Sequence, residues 1–311
     1  MNFKVEIETT WEDFVSQNPP TTNNQFVFRG QLNGYNYKGE FERWPLMSSF
    51  NREYKRILSF GRFISQRVEN NNFKRIYGKY NWVKEKRIVE MGLVERLLFL
   101  QHYGVSTCFL DFTYNPLIAL YFALAPMKVP DIGSHELNGY RNDFGNAYLS
   151  IYKINCDILV NDICIKEINT SQENFNFEYD SYWNFCYAVA GANIGLLHKK
   201  DILNNFENRN LNAQNGCFIL YNNINSSGFI GLEKYLEELA IEKEVCITEP
   251  CITIYNITWD SILARSRSKS NETIKDEGLF TYLKNNNISG ETLFTDHQGL
   301  KYDLDFFYEE R

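Results

Sequence analysis

The sequence lacks the features that mark several classes of protein. It has no apolar run close to the roughly 18 residues that a membrane-spanning helix needs. Its first residues, MNFKVEIETTWEDF, contain neither the basic region nor the apolar region of a secretory signal. Seven prolines and 18 glycines among 311 residues are too few for a low-complexity chain. We therefore expect a folded protein of the cytoplasm that makes no contact with a membrane.

Cysteine and histidine are sparse and scattered along the chain. The seven cysteines include no Cys-x-x-Cys pair, and no two of the four histidines stand at the spacing of metal ligands. This pattern favours reduced thiols that pack as small apolar side chains, and it argues against disulfides and structural zinc. The sequence predicts no metal site.

Aromatic and apolar residues are abundant, and the charge is unevenly distributed. The chain is 44% hydrophobic, with 24 Phe and 20 Tyr, which is enough for a substantial core. The net charge is −7, yet the segment from Arg52 to Arg96 holds twelve Lys and Arg against five Glu. The ordinary explanation of such a run is a solvated helical face. The alternative is a basic face that attracts partners bearing phosphate groups.

Hydrophobic periodicity predicts a mixture of helices and strands that do not alternate strictly. Helices are expected near 10–17, 50–77, 84–102, 116–125, 231–244 and 271–287, and strands near 25–30, 146–154, 192–197, 215–223 and 251–257. The pattern fits a single mixed α+β domain over 1–311, with central strands and helices packed around them. Residues 127–205 are a divergent insert or an unassigned region of that domain.

The stretch QFVFRGQ places an arginine at the end of an apolar run. A buried arginine is unfavourable by several kcal/mol unless its donors find acceptors. One interpretation is an edge charge beside a turn glycine. The other is that Arg29 is a planar fork that grips a phosphate or carboxylate, with Gly30 allowing the backbone to approach the ligand.

A second cluster of polar residues lies between strongly apolar flanks in residues 97–125. His102, Tyr103, Thr107, Asp111 and Thr113 fall within twelve residues. Each has a local explanation: the histidine caps a helix, the tyrosine fills the core, and the aspartate caps a helix or pairs nearby. Taken together, a polar cluster in an apolar surround favours a binding pocket.

Three blocks of sequence together carry a resemblance to a known family. They are FVFRGQ, RWPLMSSFNRE (43–53) and QHYGVSTCFLDFTYNPLIALYFA, and they resemble the FRG domain family, named for the tripeptide in the first block. Two later blocks, RNLNAQNGCFI and GETLFTDHQGL, are similar to further segments of that family and would be weak alone. This chain has Cys108 where the family usually has an arginine, so a ligand contact made there in relatives is either absent here or supplied from elsewhere.

The resemblance implies a role in conflict between bacteria and phages, which FRG domains tend to accompany. The Arg-Gly pair at a strand end is also similar to the arginine motif of ADP-ribosyltransferases, whose first-strand arginine holds the phosphates of NAD. The similarity to this motif implies a split sheet of the ADP-ribosyltransferase type. It also implies an enzyme that uses NAD and acts as a toxin or as an anti-phage effector. The acceptor would be RNA, DNA or protein, and an antitoxin or other defence protein would be the partner.

The same resemblance assigns roles to residues of this chain. Such transferases usually carry a glutamate on a late strand, but the matching position after Gln214 is Gly216, so Asp111 is the candidate carboxylate. The predicted catalytic residues are His102, Tyr103 and Asp111, and the predicted NAD-binding residues are Arg29, Gly30, Gln31, Thr107 and Gln214.

Two other functions stay open from the sequence alone. The absent glutamate favours a module that binds a nucleotide or nucleic acid without chemistry, such as a sensor in a defence system, with Arg29 as its anchor. Phosphodiester cleavage by His102 and Asp111 ranks last, because no paired-carboxylate metal motif supports it.

Overall fold

The computed structural model defines a set of strands and helices that is discontinuous along the chain. It describes residues 2–20, 24–32, 34–35, 41–42, 45–53, 73, 75, 92–102, 105–124, 148–163, 165–168, 194–198, 213–221, 224–225, 228–258, 261–262 and 278–294. The strands are β1 Lys4–Thr9, β2 Phe26–Leu32, β3 Gly34–Tyr35, β4 Phe41–Glu42, β5 Leu110–Thr113, β6 Tyr148–Asn155, β7 Lys166–Glu167, β8 Ile194–His198, β9 Gly216–Tyr221, β10 Ile224–Asn225, β11 Gly228–Phe229 and β12 Ile252–Thr258. The helices are α1 Trp11–Gln17, α2 Ser49–Glu53, α3 Leu93–His102, α4 Pro116–Leu124, a π-helix Ile158–Asp162, α5 Leu232–Glu242, α6 Leu279–Asn285 and α7 Gly290–Leu293.

Eight of these strands form one mixed sheet, in the order β1-β12-β6-β2-β5-β9-β8-β7. The outermost pairs, β1 with β12 and β7 with β8, are parallel, and the pairs between them are antiparallel. A mixed sheet with helices packed against it confirms the predicted α+β class. Strands β6, β7 and β8 come from the region 127–205, so the described part of that region belongs to the main sheet.

The sheet has a weak point at its centre, between β2 and β5. These strands pair at one register position, Phe28 opposite Thr113, whereas β2 pairs with β6 over its whole length from Phe26 to Leu32. Beyond Phe28 the two strands no longer pair. The sheet of the ADP-ribosyltransferase type that the arginine motif implied remains a prediction.

The two faces of the sheet pack against different helices. Side chains alternate between faces along a strand, so Val27 points to one face and Phe28 to the other. The first face packs on α5, through residues such as Leu232 and Leu236. The second packs on α1, α4, α6 and α7. Arg29 therefore belongs by alternation to the α5 face, and Gly30 belongs to the face that α4 covers.

Helix α4 crosses β2 very closely at Gly30. A β carbon built on Gly30 would lie 1.7 Å from the carbonyl oxygen of Ala119 and 2.8 Å from the backbone nitrogen of Ala123. The small residues of the helix and the absent side chain of the strand together permit this contact. The glycine is thus explained by packing against a helix, and the expectation that it makes room for a ligand stays a prediction.

The start of α4 follows the capping signals in the sequence. Asn115 precedes the first helical residue, Pro116, and its Oδ1 accepts a hydrogen bond of 2.9 Å from the backbone N–H of Leu117. Asparagine is a strong N-cap, and proline suits the first position because its missing N–H would have no partner there. The predicted helix over 116–125 is confirmed.

Removing this cap is expected to destabilise the protein moderately. Asn115→Ala leaves the N–H of Leu117 without its side-chain acceptor, and we expect a loss of about 1 kcal/mol in the free energy of unfolding. Urea denaturation measures this loss. Asn115→Asp keeps an acceptor and serves as the control. If both variants lose the same stability, the hydrogen bond to Leu117 is not the cause.

Two predicted helices are shorter than the sequence pattern indicated. Helix α3 begins at Leu93 instead of near residue 84, because Gly92 stands outside it and the Glu95 Oε2 accepts a 2.9 Å bond from the Gly92 N–H, which caps the start. Helix α6 begins at Leu279, after Gly278 in extended backbone. Glycine is a poor helix former, and a continuous helix through either position was a wrong prediction. The residues before both glycines, and most of the basic segment 52–96, lie outside the described residues.

Strand β1 and helix α7 were missed in the sequence.

Four of the cysteines that the structure describes are buried, as expected of packed thiols: Cys108, Cys156, Cys217 and Cys251. A fifth, Cys246, is exposed. Burial raises the pKa of Cys156 to about 12, which keeps it protonated. None of the described helices is long and apolar enough to cross a membrane.

Candidate functional site

Arg29 and Asp111 meet where β2 and β5 stop pairing. The Arg29 Nη1 donates a hydrogen bond of 2.7 Å to the backbone carbonyl of Asp111, and it lies 3.8 Å from the carboxylate Oδ2 of the same residue. By alternation from the Phe28–Thr113 pair, Arg29 and Asp111 belong to opposite faces of the sheet. The guanidinium of Arg29 therefore donates to the backbone carbonyl of Asp111 and lies near its carboxylate, at the place where the backbone pairing of β2 and β5 has ended.

A chain of hydrogen bonds connects Asp111 to two helices. The Gln101 Nε2 of α3 donates to the Asp111 Oδ1, and the Thr107 Oγ1 donates to the Gln101 Oε1. The loop at Thr107 is in turn bound to α2: its carbonyl accepts a 3.1 Å bond from the Phe50 N–H, and its N–H donates a 3.2 Å bond to the Ser49 Oγ. These bonds hold α2, α3 and β5 in one arrangement.

The two charged side chains differ in exposure and shift each other's titration. Arg29 keeps 19% of its side-chain surface accessible, and Asp111 keeps 59%. Burial raises the pKa of Asp111, while the charge of Arg29 acts in the opposite direction. Burial also lowers the pKa of Arg29, and Asp111 opposes that shift. Asp111 nevertheless keeps more than half of its side-chain surface accessible, so the neighbouring protein atoms cover it only in part.

A second arginine contributes to this site. The charge of Arg52, on α2, lowers the pKa of both Arg29 and Asp111, so Arg52 lies close to the pair. Its side chain is exposed. Arg52 and Gln101 were not predicted as site residues, although each lies in a motif block that resembles the FRG family.

Some buried polar atoms near the site lack partners among the described residues. Arg29 Nε is one, and the side-chain amide of Asn51 supplies two more, although Asn51 is only 2% exposed. Each such group is unfavourable by about 1–3 kcal/mol. Unsatisfied buried groups in native proteins need a reason, and a functional role is one of them.

The structure brings three of the predicted site residues together and separates others from them. Arg29, Thr107 and Asp111 belong to the hydrogen-bonded cluster. Gln214 does not: it precedes β9 in a turn, where its backbone carbonyl accepts a 2.7 Å bond from the Thr113 Oγ1. The Gln214 amide donates instead to the carbonyl of Leu293 in α7.

The remaining predicted residues are placed only in part. Gln31 follows Gly30 on β2, and by alternation it shares the face of Arg29. His102 is the last residue of α3, but its side chain and the whole of Tyr103 lie outside the described residues. Among the residues that the structure does describe, no group of three or more His, Cys, Asp or Glu side chains could hold a metal ion.

The geometry defines an α+β domain in which a mostly buried arginine and an accessible carboxylate meet at the centre of the sheet, with a second arginine on α2. The model of the FRG domain family matches residues 24–131, a range that includes Arg29, Arg52 and Asp111. The match confirms the resemblance of the first three motif blocks, and the chain carries an FRG domain over that range. The two later blocks lie beyond it and stay predictions. No curated protein and no solved structure matches the chain.

Proposed function

We propose that the chain is an ADP-ribosyltransferase-like enzyme that uses NAD as its substrate and modifies a macromolecule, as a toxin or as an anti-phage effector. The single observation that carries the proposal is the pairing of a mostly buried arginine, Arg29, with an accessible carboxylate, Asp111. A guanidinium binds phosphate groups through paired hydrogen bonds. A carboxylate beside it can face the ribose of the same ligand.

The chemistry needs few groups beyond these two. The bond between nicotinamide and C1′ of the ribose breaks, and its electron pair leaves with nicotinamide. Positive charge develops on the ribose, as it does in glycoside hydrolysis. An oxygen or nitrogen of the acceptor then bonds to C1′, and its proton passes to solvent water. Asp111 stabilises the developing charge, and Arg29 holds the phosphates so that the ribose is positioned against Asp111.

Gln101 acts through Asp111 in this proposal. Its amide donates to the Oδ1 of the carboxylate, which leaves Oδ2 on the side of Arg29. The bond between Thr107 and Gln101 fixes the orientation of the amide, because the Oε1 accepts and the Nε2 donates. The carboxylate is thereby held in one orientation before a ligand arrives.

The second candidate function is a binding module without chemistry. Two observations favour it: Gly216 stands where a catalytic glutamate is expected, and both carboxylate oxygens of Asp111 already face polar partners in the protein. The site would then recognise a nucleotide or a nucleic acid as part of a defence sensor. The two functions differ in whether NAD is consumed.

The test is mass spectrometry of the purified protein incubated with NAD and cell lysate. We expect nicotinamide release and acceptors heavier by one ADP-ribose unit. Arg29→Lys keeps the charge but loses the paired donors, and it is expected to lower the release about 100-fold. Lys284→Gln, which removes an exposed charge from α6 on the other face of the sheet, is the control and is expected to keep full activity.

Two results would contradict the proposal. Intact NAD, with folded wild-type protein and several lysates, would exclude the transferase and leave the binding module. Release of nicotinamide that is equal in the wild type and in Arg29→Lys would place NAD chemistry away from Arg29. If expression of the protein is toxic and Arg29→Lys is equally toxic, the toxicity does not depend on this site.

A further inference from the structure

Helix α2 carries an exposed arginine to the edge of the Arg29–Asp111 pair. Arg52 follows Ser49 by three residues, and the Ser49 Oγ accepts from the N–H of Thr107, which is connected through Gln101 to Asp111. The charge of Arg52 acts on both members of the pair. Within the part of the chain that the structure describes, Arg52 has no ion-pair partner of its own. Its guanidinium is accessible to a ligand, whereas most of the Arg29 surface is covered.

The position of Arg52 is fixed by contacts at both sides of α2. On one side, Phe50 and Ser49 are bound to the backbone of Thr107. On the other, the residue that leads into the helix, Leu46, is tied to α5: its N–H donates 3.0 Å to a carboxylate oxygen of Glu233, and its carbonyl accepts 2.8 Å from the Leu232 N–H. Arg52 is therefore presented from a fixed backbone, although its side chain is long.

The charges at this position do not balance. The site has two guanidinium groups and one carboxylate, which leaves one positive charge in excess among these three groups at neutral pH. One phosphoryl group is enough for one guanidinium fork. Two forks on separate elements suit a ligand with two linked phosphoryl groups, because each fork can take one of them.

We infer that Arg29 and Arg52 together form a diphosphate-binding site, in which Arg52 selects nucleoside diphosphates over monophosphates. The inference rests on the proposed function, since it assigns the pyrophosphate of NAD to this pair. The inference also goes beyond the proposed function, because a residue on α2, Arg52, would recognise the second phosphoryl group. The same site would bind ADP and ADP-ribose, which carry no nicotinamide and undergo no transfer.

The experiment is isothermal titration calorimetry with AMP, ADP and ADP-ribose on the intact chain. We expect wild-type protein to bind ADP at least tenfold more tightly than AMP. Arg52→Gln is expected to weaken ADP and ADP-ribose binding by ten- to a hundredfold, a range typical of a hydrogen bond to a charged group. The same variant should change AMP binding by less than about threefold, because Arg29 holds that single phosphate.

Two controls accompany this variant. Lys284→Gln removes one positive charge from the other face of the sheet and should change no affinity. Arg52→Lys keeps the charge and loses the fork, so it should fall between wild type and Arg52→Gln. Because Arg52 is exposed, its substitution should shift stability by no more than about 0.5 kcal/mol, which thermal melting checks.

The outcomes separate the inference from the proposed function. If Arg52→Gln weakens AMP and ADP equally, or changes neither, the inference is overturned even where NAD is consumed. If Arg52→Gln removes the preference for ADP while NAD stays intact, the diphosphate site stands and the transferase does not. If the wild type binds none of the three nucleotides, the inference is overturned, and the proposed function still depends on whether NAD is consumed.

Discussion

Replacing Gly30 with alanine is expected to destabilise the protein by about 3 kcal/mol or more, the upper end of what overpacking usually causes. The new β carbon would meet the carbonyl oxygen of Ala119 at 1.7 Å, far inside van der Waals contact. Both groups belong to backbone, in a helix and in a strand, so neither can turn aside as a side chain does. Either α4 moves away from the sheet, or β2 shifts away from α4, toward the face that α5 covers.

Urea denaturation of Gly30→Ala beside Gly278→Ala tests this expectation. Gly278 precedes α6, and a β carbon there meets nothing within 4 Å. Gly278 is the N-cap of α6, and because alanine is a poorer N-cap than glycine, its substitution should destabilise by no more than about 1 kcal/mol. Equal stability of the two variants would refute the close approach of α4 to β2. If the Gly30→Ala protein stays fully stable but loses ligand binding, the glycine is needed for the approach of the ligand and not for packing against α4.

Asp111→Asn is expected to lower nicotinamide release by about 100- to 1,000-fold, in the range found when one charge-stabilising group is removed from an active site. Asparagine keeps the shape of the side chain and an oxygen that can accept from Gln101, but it has no charge to oppose the positive ribose. The backbone carbonyl at this position still accepts from Arg29. Affinity for ADP should therefore stay equal or rise, since an anion that faces the phosphates has been removed.

The pH dependence of the same reaction gives a second check. Catalysis needs the ionised carboxylate, so the rate of the wild type falls as the solution becomes more acidic. Burial raises the pKa of Asp111 above its ordinary value of 3.8, and the midpoint of this fall is expected above that pH. Asp157→Asn, which replaces an exposed acid beyond the end of β6, is the control and should alter neither rate nor affinity. Full activity of Asp111→Asn would remove the carboxylate from the mechanism.

Parts of the site could be predicted because they follow from local sequence. An arginine at the end of an apolar run predicted a strand-end charge, and the polar residues before Asn115 predicted a cluster around Asp111. Arg29 and Asp111 are 82 residues apart in the sequence, and their contact depends on the order of strands in the sheet. Hydrophobic periodicity gives the faces of each strand, but it does not give the neighbours.

The residues that sequence reasoning missed or misplaced share that cause. Arg52 was counted in a basic run, and only the docking of α2 on Thr107 brings it to the pair. Gln214 was included through its resemblance to a motif, but it lies in the turn before β9, and its side-chain amide donates to the carbonyl of Leu293. Gly30 stands next to Arg29 in the chain and faces the other side of the sheet, so adjacency in sequence did not mean a shared role.

Strand β1 leads to a consequence for how the chain is made. It was missed although KVEIET alternates apolar and charged residues, and it pairs in parallel with β12, Lys4 opposite Ile252. Translation at about 5–20 residues per second delivers β12 on the order of 10–50 seconds after β1. Throughout that interval β1 has no strand to join, and the charges of Lys4, Glu6 and Glu8 on one of its faces oppose pairing with another nascent chain. Strand β1 thus leaves the ribosome well before the strand that it joins.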